Sequence, residues 1–592
     1  MNKNIEESVR LRRLGNEQFV RKDLDKALHY YAELCLGDIN RVLFSNKCDD
    51  IKEKLVRRQA KAEALLTNFK TSLLPTEIDL EPELSCGSRD AVFNLSAACK
   101  ICHSAAKGRY VVTEKPVKAG SVVIVERPYA SVLLPHSGNT HCHHCHRLLP
   151  LNWIPCVECV VRFCNETCRE LAQASYHKME CAQTERLENI GIGHLALRIL
   201  LSTDVKDILA AGTWKLHEGT LGISGEYASS TFKTVMCLQS HHDKTLEEDT
   251  ANYERVAIGL VKLLVSRGYF NCKDWAASDS PMDVVRTTLV GLIERLICNA
   301  HAITGMASSA SQASKRKLFE ERSQIKIATG VFPTTSLLNH ACRPNVFSSF
   351  VNGCTVVVRT IKDLRPGDEL LNCYGPKMGS MNRLERQECL LTQYNFKCDC
   401  EWCCSDAELQ LELEMSSVKC PKCAGVSFSD GSVVSCSSCS LQFDLNSERF
   451  EILHATNNRL EAMAAGDRID SLEGTLKQLE TLCSDSHRTL VTVRDLCAKQ
   501  RTAREDYAGS VELLERNLAS LCRWHGSGSI EIGEELVKLA GVLALSGSER
   551  LKETVDRAID IFAIHYGATH AYTLEVGRRF GVKINCFDGE FF

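Results

Sequence analysis

Between Cys142 and Cys181 the chain presents eight potential metal ligands at regular spacing: Cys142 and Cys145, Cys156 and Cys159, Cys164 and Cys168, His177 and Cys181. Thiolate and imidazole are the ligands of closed tetrahedral zinc sites, and this number fills two of them. One CxxC is a weak signal, but four ligand pairs in forty residues are not the pattern of free buried thiols. His141, His143, His144 and His146 flank the first pair, fit no pair spacing, and are expected to be exposed. Cys398, Cys400 and Cys403 offer three thiolates and need a distant fourth ligand, since Cys404 is too close to turn back. Cys420, Cys423, Cys436 and Cys439 have the spacing of a small zinc ribbon, with a pair of reducible CxxC hairpins as the alternative. The finger segment balances Arg147, Arg162, Arg169 and Lys178 against Glu158, Glu166, Glu170 and Glu180. A finger that reads DNA is clearly basic, so protein interaction is the better expectation and nucleic acid is not.

Metal is the first explanation for these residues because 31 cysteines in 592 residues need one. The length predicts about three to five domains. With 44% hydrophobic and 25% charged residues the chain can build cores, which excludes wholesale disorder. A net charge of −4 sets up no field for nucleic acid or an anionic membrane. The first residues, MNKNIEESVRLRRLG, lack the apolar stretch of a secretory signal. No run approaches the roughly 18 apolar residues of a membrane span, and Leu539–Leu545 reads as part of an amphipathic helix. The expected protein is soluble and intracellular, where disulfides are rare.

The elements that must position these ligands are β-rich between the cysteine clusters. Val346–Val351 and Cys354–Ile361 form a predicted hairpin about Asn352-Gly353. A turn at Arg365-Pro366-Gly367-Asp368 leads into Glu369–Tyr374. Upstream, Arg109–Val117 and Ser121–Leu134 are expected to pair around Lys118–Gly120. Residues 183–300 read as mostly helical apart from Thr213–Ser230, and the chain beyond Phe443 is helical almost to its end. There, Leu536, Leu539, Ala540 and Leu543 are expected to pack on Val555, Ala558, Ile559 and Phe562 across Ser546–Ser548.

The cysteine and histidine spacing of 142–181 resembles the MYND zinc finger. Asn339-His340-Ala-Cys342-Arg-Pro344-Asn345, Tyr374-Gly375-Pro376 and the CxCxxC at Cys398 together resemble the SET domain. With the finger inserted after the first strands, the chain from about residue 86 onward is similar to the SET and MYND domain-containing family of protein-lysine methyltransferases. The resemblance implies an α+β multidomain protein that uses S-adenosylmethionine and four structural zinc ions. In the finger it implies that Cys142, Cys145, Cys164 and Cys168 share one zinc, and Cys156, Cys159, His177 and Cys181 the other. It supplies Cys342 as the fourth ligand for Cys398, Cys400 and Cys403.

The same resemblance implies that Lys107, Gly108 and Arg109 hold the cofactor near its carboxylate, and that Asn299 contacts it. It implies that Asn339 and His340 bind its amino-acid and adenine ends, and that Tyr394 and Phe396 wall the adenine and the lysine channel. Tyr374 is the implied catalytic residue at the methyl-transfer site and also lines the cofactor. Two departures stand out. Gln173 replaces the family's tryptophan in the last finger helix, and Tyr110 replaces a glycine of the first cofactor loop. Glycine alone freely takes positive φ and lets backbone approach a ligand, so Tyr110 keeps a second reading open. That reading is a non-catalytic adaptor with a degenerate SET domain, acting in protein recruitment or transcriptional repression.

The predicted organisation is a helical, tetratricopeptide-like region over 1–75, carried by Leu14–Tyr31 and possessing too few repeats to be complete. The N-terminal part of the SET domain (86–135), the finger (142–181), a helical insertion (183–320) and the SET core (321–376) follow. A post-SET segment (377–404), the ribbon (405–445) and a helical tetratricopeptide-like domain (446–592) complete it. Partners are a protein substrate with a target lysine and proteins bound through the finger and helical domains, with no membrane. The expected location is cytoplasmic and nuclear. Lys315-Arg316-Lys317 is a short basic run that reads as a solvated loop.

Overall fold

The computed structural model describes residues 81–582 except 91, 151, 212–229, 307–323, 431–432, 445–446 and 465–471. The repeat expected over 1–75, nearly all of Thr213–Ser230 and the basic run at 315–317 lie outside the described residues. The chain opens with β1 (Ser88–Arg89), β2 (Val92–Ser96), β3 (Cys99–Ser104), β4 (Gly108–Thr113), β5 (Val122–Glu126) and β6 (Ala130–Leu133). The finger holds β7 (Ile154–Pro155) and β8 (Arg162–Phe163). Next come β9 (Ala300–Met306), β10 (Gln324–Val331), β11 (Asn339–His340), β12 (Val346–Val351), β13 (Thr355–Thr360) and β14 (Leu371–Asn372). The ribbon is β15 (Val418–Lys419), β16 (Val426–Asp430), β17 (Val433–Cys436) and β18 (Gln442–Asp444), hydrogen-bonded in that order.

The main sheet has the order β1-β2-β5-β13-β12, and a smaller sheet runs β6-β10-β9. Every residue of β13 is buried, which suits its run of three consecutive valines. The predicted hairpin forms between β12 and β13, with Asn352 and Gly353 at φ 52° and 85°. The strand pair expected around Lys118–Gly120 does not form. β4 pairs with β3, whereas the stretch 121–134 divides into β5, in the main sheet, and β6, in the smaller one. The neighbours were chosen by long-range partners, because the apolar faces of β5 fit between β2 and β13. The turn at Lys118–Gly120 is instead tied to the chain after β13: Val117 bridges Leu364, and the Gly120 N–H donates to the Thr360 carbonyl at 2.7 Å.

Two side chains anchor the loop that leads to Asn339-His340. Glu126, at the buried end of β5, accepts the Thr334 N–H at 2.8 Å and the N–H and hydroxyl of Thr335, each at 2.9 Å. Burial pushes its carboxyl above the ordinary range even though these donors pull the other way. Asn345 then clamps the returning chain: its Nδ2 donates to the Glu369 carbonyl and its Oδ1 accepts the Leu371 N–H, both at 2.7 Å. β14 is thereby laid parallel to β11, Asn339 opposite Leu371 and His340 opposite Asn372.

The helices Ile192–Leu201, Glu247–Ser266 and Pro281–Asn299 pack together with β6 into a second core. At the C-terminal end, Tyr507–His525, Ile530–Ser546 and Leu551–His565 pack in succession. Leu536 and Ala540 meet Val555, Ala558, Ile559 and Phe562 as expected, while Leu539 and Leu543 turn to the neighbouring core toward Glu473–Ala503. Phe347 of β12 packs edge-on against His565 and Tyr566, and Lys377 pairs with Glu531, so these helices sit directly on the strands that carry the site. Among the described residues no helix is long and apolar enough to cross a membrane.

The four flanking histidines are not exposed. His141, His143 and His146 are buried, and His144 stacks on Tyr176. They were expected outside because they bind no metal, yet each has a packing role: His146 Nε2 lies 2.8 Å from Ser131 Oγ, and His143 reaches toward Arg198. Gln173 is exposed, so the missing tryptophan removes nothing from the finger's core. Glu180, between His177 and Cys181, is buried against Arg198, whose Nε and Nη2 both donate to its carboxylate. Burial alone would raise that carboxyl, but Arg198 and His194 outweigh it and hold it well below the usual range. The Arg198 guanidinium also lies 3.5 Å over the Tyr176 ring, tying the finger to the helix Ile192–Leu201.

Two substitutions test these junctions by thermal or denaturant unfolding. A Cβ on Gly353 would strike the Cys145 carbonyl oxygen and lie 2.6 Å from Arg147 N, at a positive φ. Gly353→Ala is expected to cost about 2–4 kcal/mol and to loosen the first knuckle from the hairpin. Arg198→Leu leaves Glu180 buried without its arginine, with a histidine, His194, still close to its carboxylate, and is expected to cost about 3–5 kcal/mol, most of it recovered in the double variant Arg198→Leu/Glu180→Leu.

Candidate active site and metal centres

Four clusters gather the sixteen ligands expected from the sequence. They are Cys142, Cys145, Cys164 and Cys168; Cys156, Cys159, His177 and Cys181; Cys342, Cys398, Cys400 and Cys403; and Cys420, Cys423, Cys436 and Cys439. Within each, the ligand atoms lie within 4.8 Å of one another. Sulfur–sulfur separations include 3.6 Å for Cys145–Cys164, 3.7 Å for Cys156–Cys181 and 3.5 Å for Cys342–Cys403. A tetrahedron with metal–sulfur bonds of about 2.3 Å has its sulfurs about 3.8 Å apart, so the donor sets fit zinc in size and in chemistry.

Local structure explains how the finger interleaves. Asn165 caps the helix Glu166–Ala172 by accepting the Cys168 N–H at 2.8 Å, which presents Cys168 toward Cys164. A π-turn over Gln173–His177 then rotates the chain so that Tyr176 and His177 are both buried. The third cluster is held by neighbours that the sequence did not single out. Gln387 pairs both ways with the backbone of Cys398, at 2.7 and 2.9 Å. Arg386, wholly buried, sits 4.0 Å from Cys403 Sγ and pairs with Glu412. Both lie on the helix Arg383–Tyr394, which Asn382 and Glu385 cap reciprocally.

Because Cys342 joins Cys398, Cys400 and Cys403, the segment carrying Tyr394 and Phe396 lies against Asn339-His340. The His340 ring is 5.3 Å from that of Tyr374 and 6.1 Å from that of Phe396. Its Nδ1 accepts the Tyr374 N–H at 3.1 Å. Tyr374 and Tyr394 rings are 4.8 Å apart, and the Tyr394 hydroxyl donates to the Tyr374 carbonyl at 3.1 Å. The Tyr374 hydroxyl donates to the Leu338 carbonyl at 2.8 Å. Burial pushes the hydroxyls of both tyrosines up, that of Tyr394 to about 12, so both stay neutral. Burial likewise lowers His340 to about 4, keeping its ring neutral.

The remaining expected residues close a circuit around this aromatic group. Cys298, next to Asn299, donates to the Gln393 carbonyl at 3.4 Å. Asn299 is buried and donates through Nδ2 to the carbonyls of Gln239 and Arg295, at 2.9 and 2.8 Å. Arg109 donates to the Cys237 carbonyl at 2.7 Å. Lys107 donates to Glu369 at 2.6 Å, and Glu369 in turn accepts from Asn339 at 3.0 Å. Gly108 has φ 64° and no atom within 4 Å of where its Cβ would stand. Tyr110 lies in β4, its residue paired with Cys102, and its ring faces Lys107. The position thus takes extended backbone, which any residue adopts, and no glycine is required there for φ.

Sequence reasoning missed Glu369, Cys298 and the carbonyls of Cys237 and Gln239. Glu369 followed a recognisable Pro-Gly-Asp turn, but no local signal marks a surface-turn carboxylate as the partner of residues 107 and 339. The carbonyls carry no side-chain signature at all.

The family model described as the SET domain matches residues 108–375. The protein-lysine N-methyltransferase SMYD4 of Danio rerio is 28% identical to this chain, over 86% of the chain and 77% of that protein. SMYD4 of Homo sapiens is 24% identical, over 94% of the chain and 78% of that protein. A SET and MYND domain-containing protein of Dictyostelium discoideum is 25% identical, over 52% of the chain and 59% of that protein. The matched SET domain, the relatives alongside most of the chain's length and the cysteine-rich finger between its β-strands make the chain similar to SET and MYND domain-containing proteins.

Proposed function

We propose that this protein is a protein-lysine N-methyltransferase that moves a methyl group from S-adenosylmethionine to the ε-amine of a lysine in a protein substrate. The observation that supports it best is the circuit of contacts from Lys107 through Asn339, His340, Tyr374, Tyr394 and Cys298 to Asn299 and Arg109. Residues from five separate stretches converge there around three aromatic rings, with amide and backbone groups at the edge. That donor set suits a cofactor with an amino-acid end and a flat base. S-adenosylmethionine supplies a sulfonium methyl that is already activated.

The chain's own residues then have limited tasks. Lys107, Gly108, Arg109, Asn299, Asn339 and His340 would hold the cofactor, and Tyr394 and Phe396 would wall its base and the lysine channel. The aromatic walls exclude water, which disfavours an ammonium and leaves the lysine amine neutral. Tyr374, kept protonated by burial and oriented by the Leu338 carbonyl, aligns that amine. Alignment is the main catalytic contribution, since proximity and orientation alone supply several orders of magnitude. The extended backbone at Tyr110 supports this reading over the adaptor, since that residue needs no positive φ there.

The four cysteine-rich clusters would hold zinc as closed structural sites, with no open position for a substrate. Protein contacts through the finger and the C-terminal helices, read as tetratricopeptide-like, and residence in cytoplasm and nucleus belong to the same proposal.

Titration calorimetry of the full chain with S-adenosylmethionine is expected to give saturable one-to-one binding, and its absence overturns the enzyme reading. Tyr374→Phe is expected to lower turnover on lysate protein about a hundredfold while leaving cofactor affinity within about threefold. Elemental analysis is expected to find zinc in proportion to four ligand sets. Cys342→Ser and Cys420→Ser should each lose one zinc, but only Cys342→Ser should weaken cofactor binding, by about tenfold or more, because it releases the aromatic wall.

A further inference from the structure

One carboxylate links the two chain segments expected at the cofactor's amino-acid end. Glu369 Oε2 accepts from Lys107 Nζ at 2.6 Å, and Oε1 accepts from Asn339 Nδ2 at 3.0 Å. Its side chain is only 12% exposed, whereas that of Lys107 is 55% exposed. The Glu369 backbone is held from two sides. Its carbonyl accepts from Asn345 Nδ2, and it bridges Val112 while Leu370 N–H donates to the Val111 carbonyl at 2.8 Å. The carboxylate therefore projects from a rigid position between β4 and the Asn339 loop.

An ionised carboxylate only accepts hydrogen bonds, so whichever end of the Asn339 amide faces it must be the nitrogen. The Lys107 carbonyl, 3.4 Å from the same nitrogen, imposes the same choice. With both hydrogens directed at acceptors, the amide oxygen is left as the group Asn339 can offer elsewhere. A cofactor's amino-acid end carries an ammonium, which needs acceptors, and a carboxylate, which needs donors. Asn339 oxygen suits the first and the remaining Lys107 N–H groups suit the second.

We propose that Glu369 is a positioning residue for the amino-acid end of the cofactor: it fixes the Asn339 amide so that its oxygen serves the α-ammonium, and it holds Lys107 alongside for the carboxylate. The inference rests on the methyltransferase reading. It assigns to Glu369 the sorting of the two charges, which would otherwise depend on an amide free to turn over.

The test measures affinity of the full chain for S-adenosylhomocysteine and for the same thioether lacking its α-amino group, by calorimetry. The native chain is expected to prefer the amino-bearing compound about tenfold or more, the size of one charge-assisted hydrogen bond. In Glu369→Gln the new amide can donate to the Asn339 oxygen and turn the side chain over. The preference should then fall below about threefold, with the deaminated compound binding within about twofold of native. Glu369→Asp, which keeps the carboxylate, should restore part of the preference. Lys107→Met should weaken both compounds equally and leave the preference intact, and it keeps the test informative if Glu369→Gln unfolds. Equal weakening of both compounds in a folded Glu369→Gln, or an unchanged preference, overturns the role of Glu369 alone. Loss of the preference in Lys107→Met overturns it too. A native chain that binds neither compound instead overturns the methyltransferase reading, and this inference falls with it.

Discussion

Two residues of parallel pairing carry the candidate site. Asn339 and His340 lie beside Leu371 and Asn372, and this short contact brings Tyr374 against the His340 ring. So brief a ladder cannot hold itself, since each end would open to water at little cost. The Asn345 side chain makes it durable by replacing two backbone partners for the returning strand. Glu126 fixes the other side by binding the turn at Thr334 and Thr335 before Asn339 is reached. A buried carboxylate and a buried amide, both fully engaged, thus set the geometry in which the aromatic residues meet.

The cysteine clusters act on this frame as staples of different reach. Those of the finger and ribbon close local segments of about forty and twenty residues. The cluster at Cys342 instead joins the Asn339 loop to chain more than fifty residues away, and it carries Tyr394 and Phe396 with it. Its neighbours Gln387 and Arg386 orient the ligand-bearing backbone, in the way outer partners tune a metal site. The finger is joined to the rest by a different device, the buried Arg198–Glu180 pair beneath Tyr176, together with the hairpin tip at Gly353. That explains why histidines with no ligand role are nonetheless buried there.

Much of this was legible in the residues before any folding was considered. The CxxC spacings marked the finger and ribbon ligands, because zinc geometry demands pairs two to four residues apart. Asn352-Gly353 marked the hairpin, since only such residues accept two positive φ values in succession. At Tyr110 a family pattern cannot say whether its glycine is there for φ or for space, and β4 answers the first: the backbone is extended and needs no glycine for φ. The pairing of 109–117 with 121–134 was misjudged. A turn signal states where the chain reverses, but the burial of each face selects its neighbour.

The sequence by itself determined the types and local spacing of the metal ligands, the Asn-His and Tyr-Gly-Pro motifs, and the helical character of the C-terminal region. These are local properties, written in distances of a few residues along the chain. Tertiary structure alone decided which carboxylate meets Lys107 and Asn339, which carbonyls hold Asn299 and Arg109, and which histidines are buried. Those contacts join positions up to 262 residues apart. They depend on backbone oxygens and on ordinary acidic side chains, groups that every sequence contains and none advertises, so only the folded arrangement of β4, β11 and β14 selects the ones that matter.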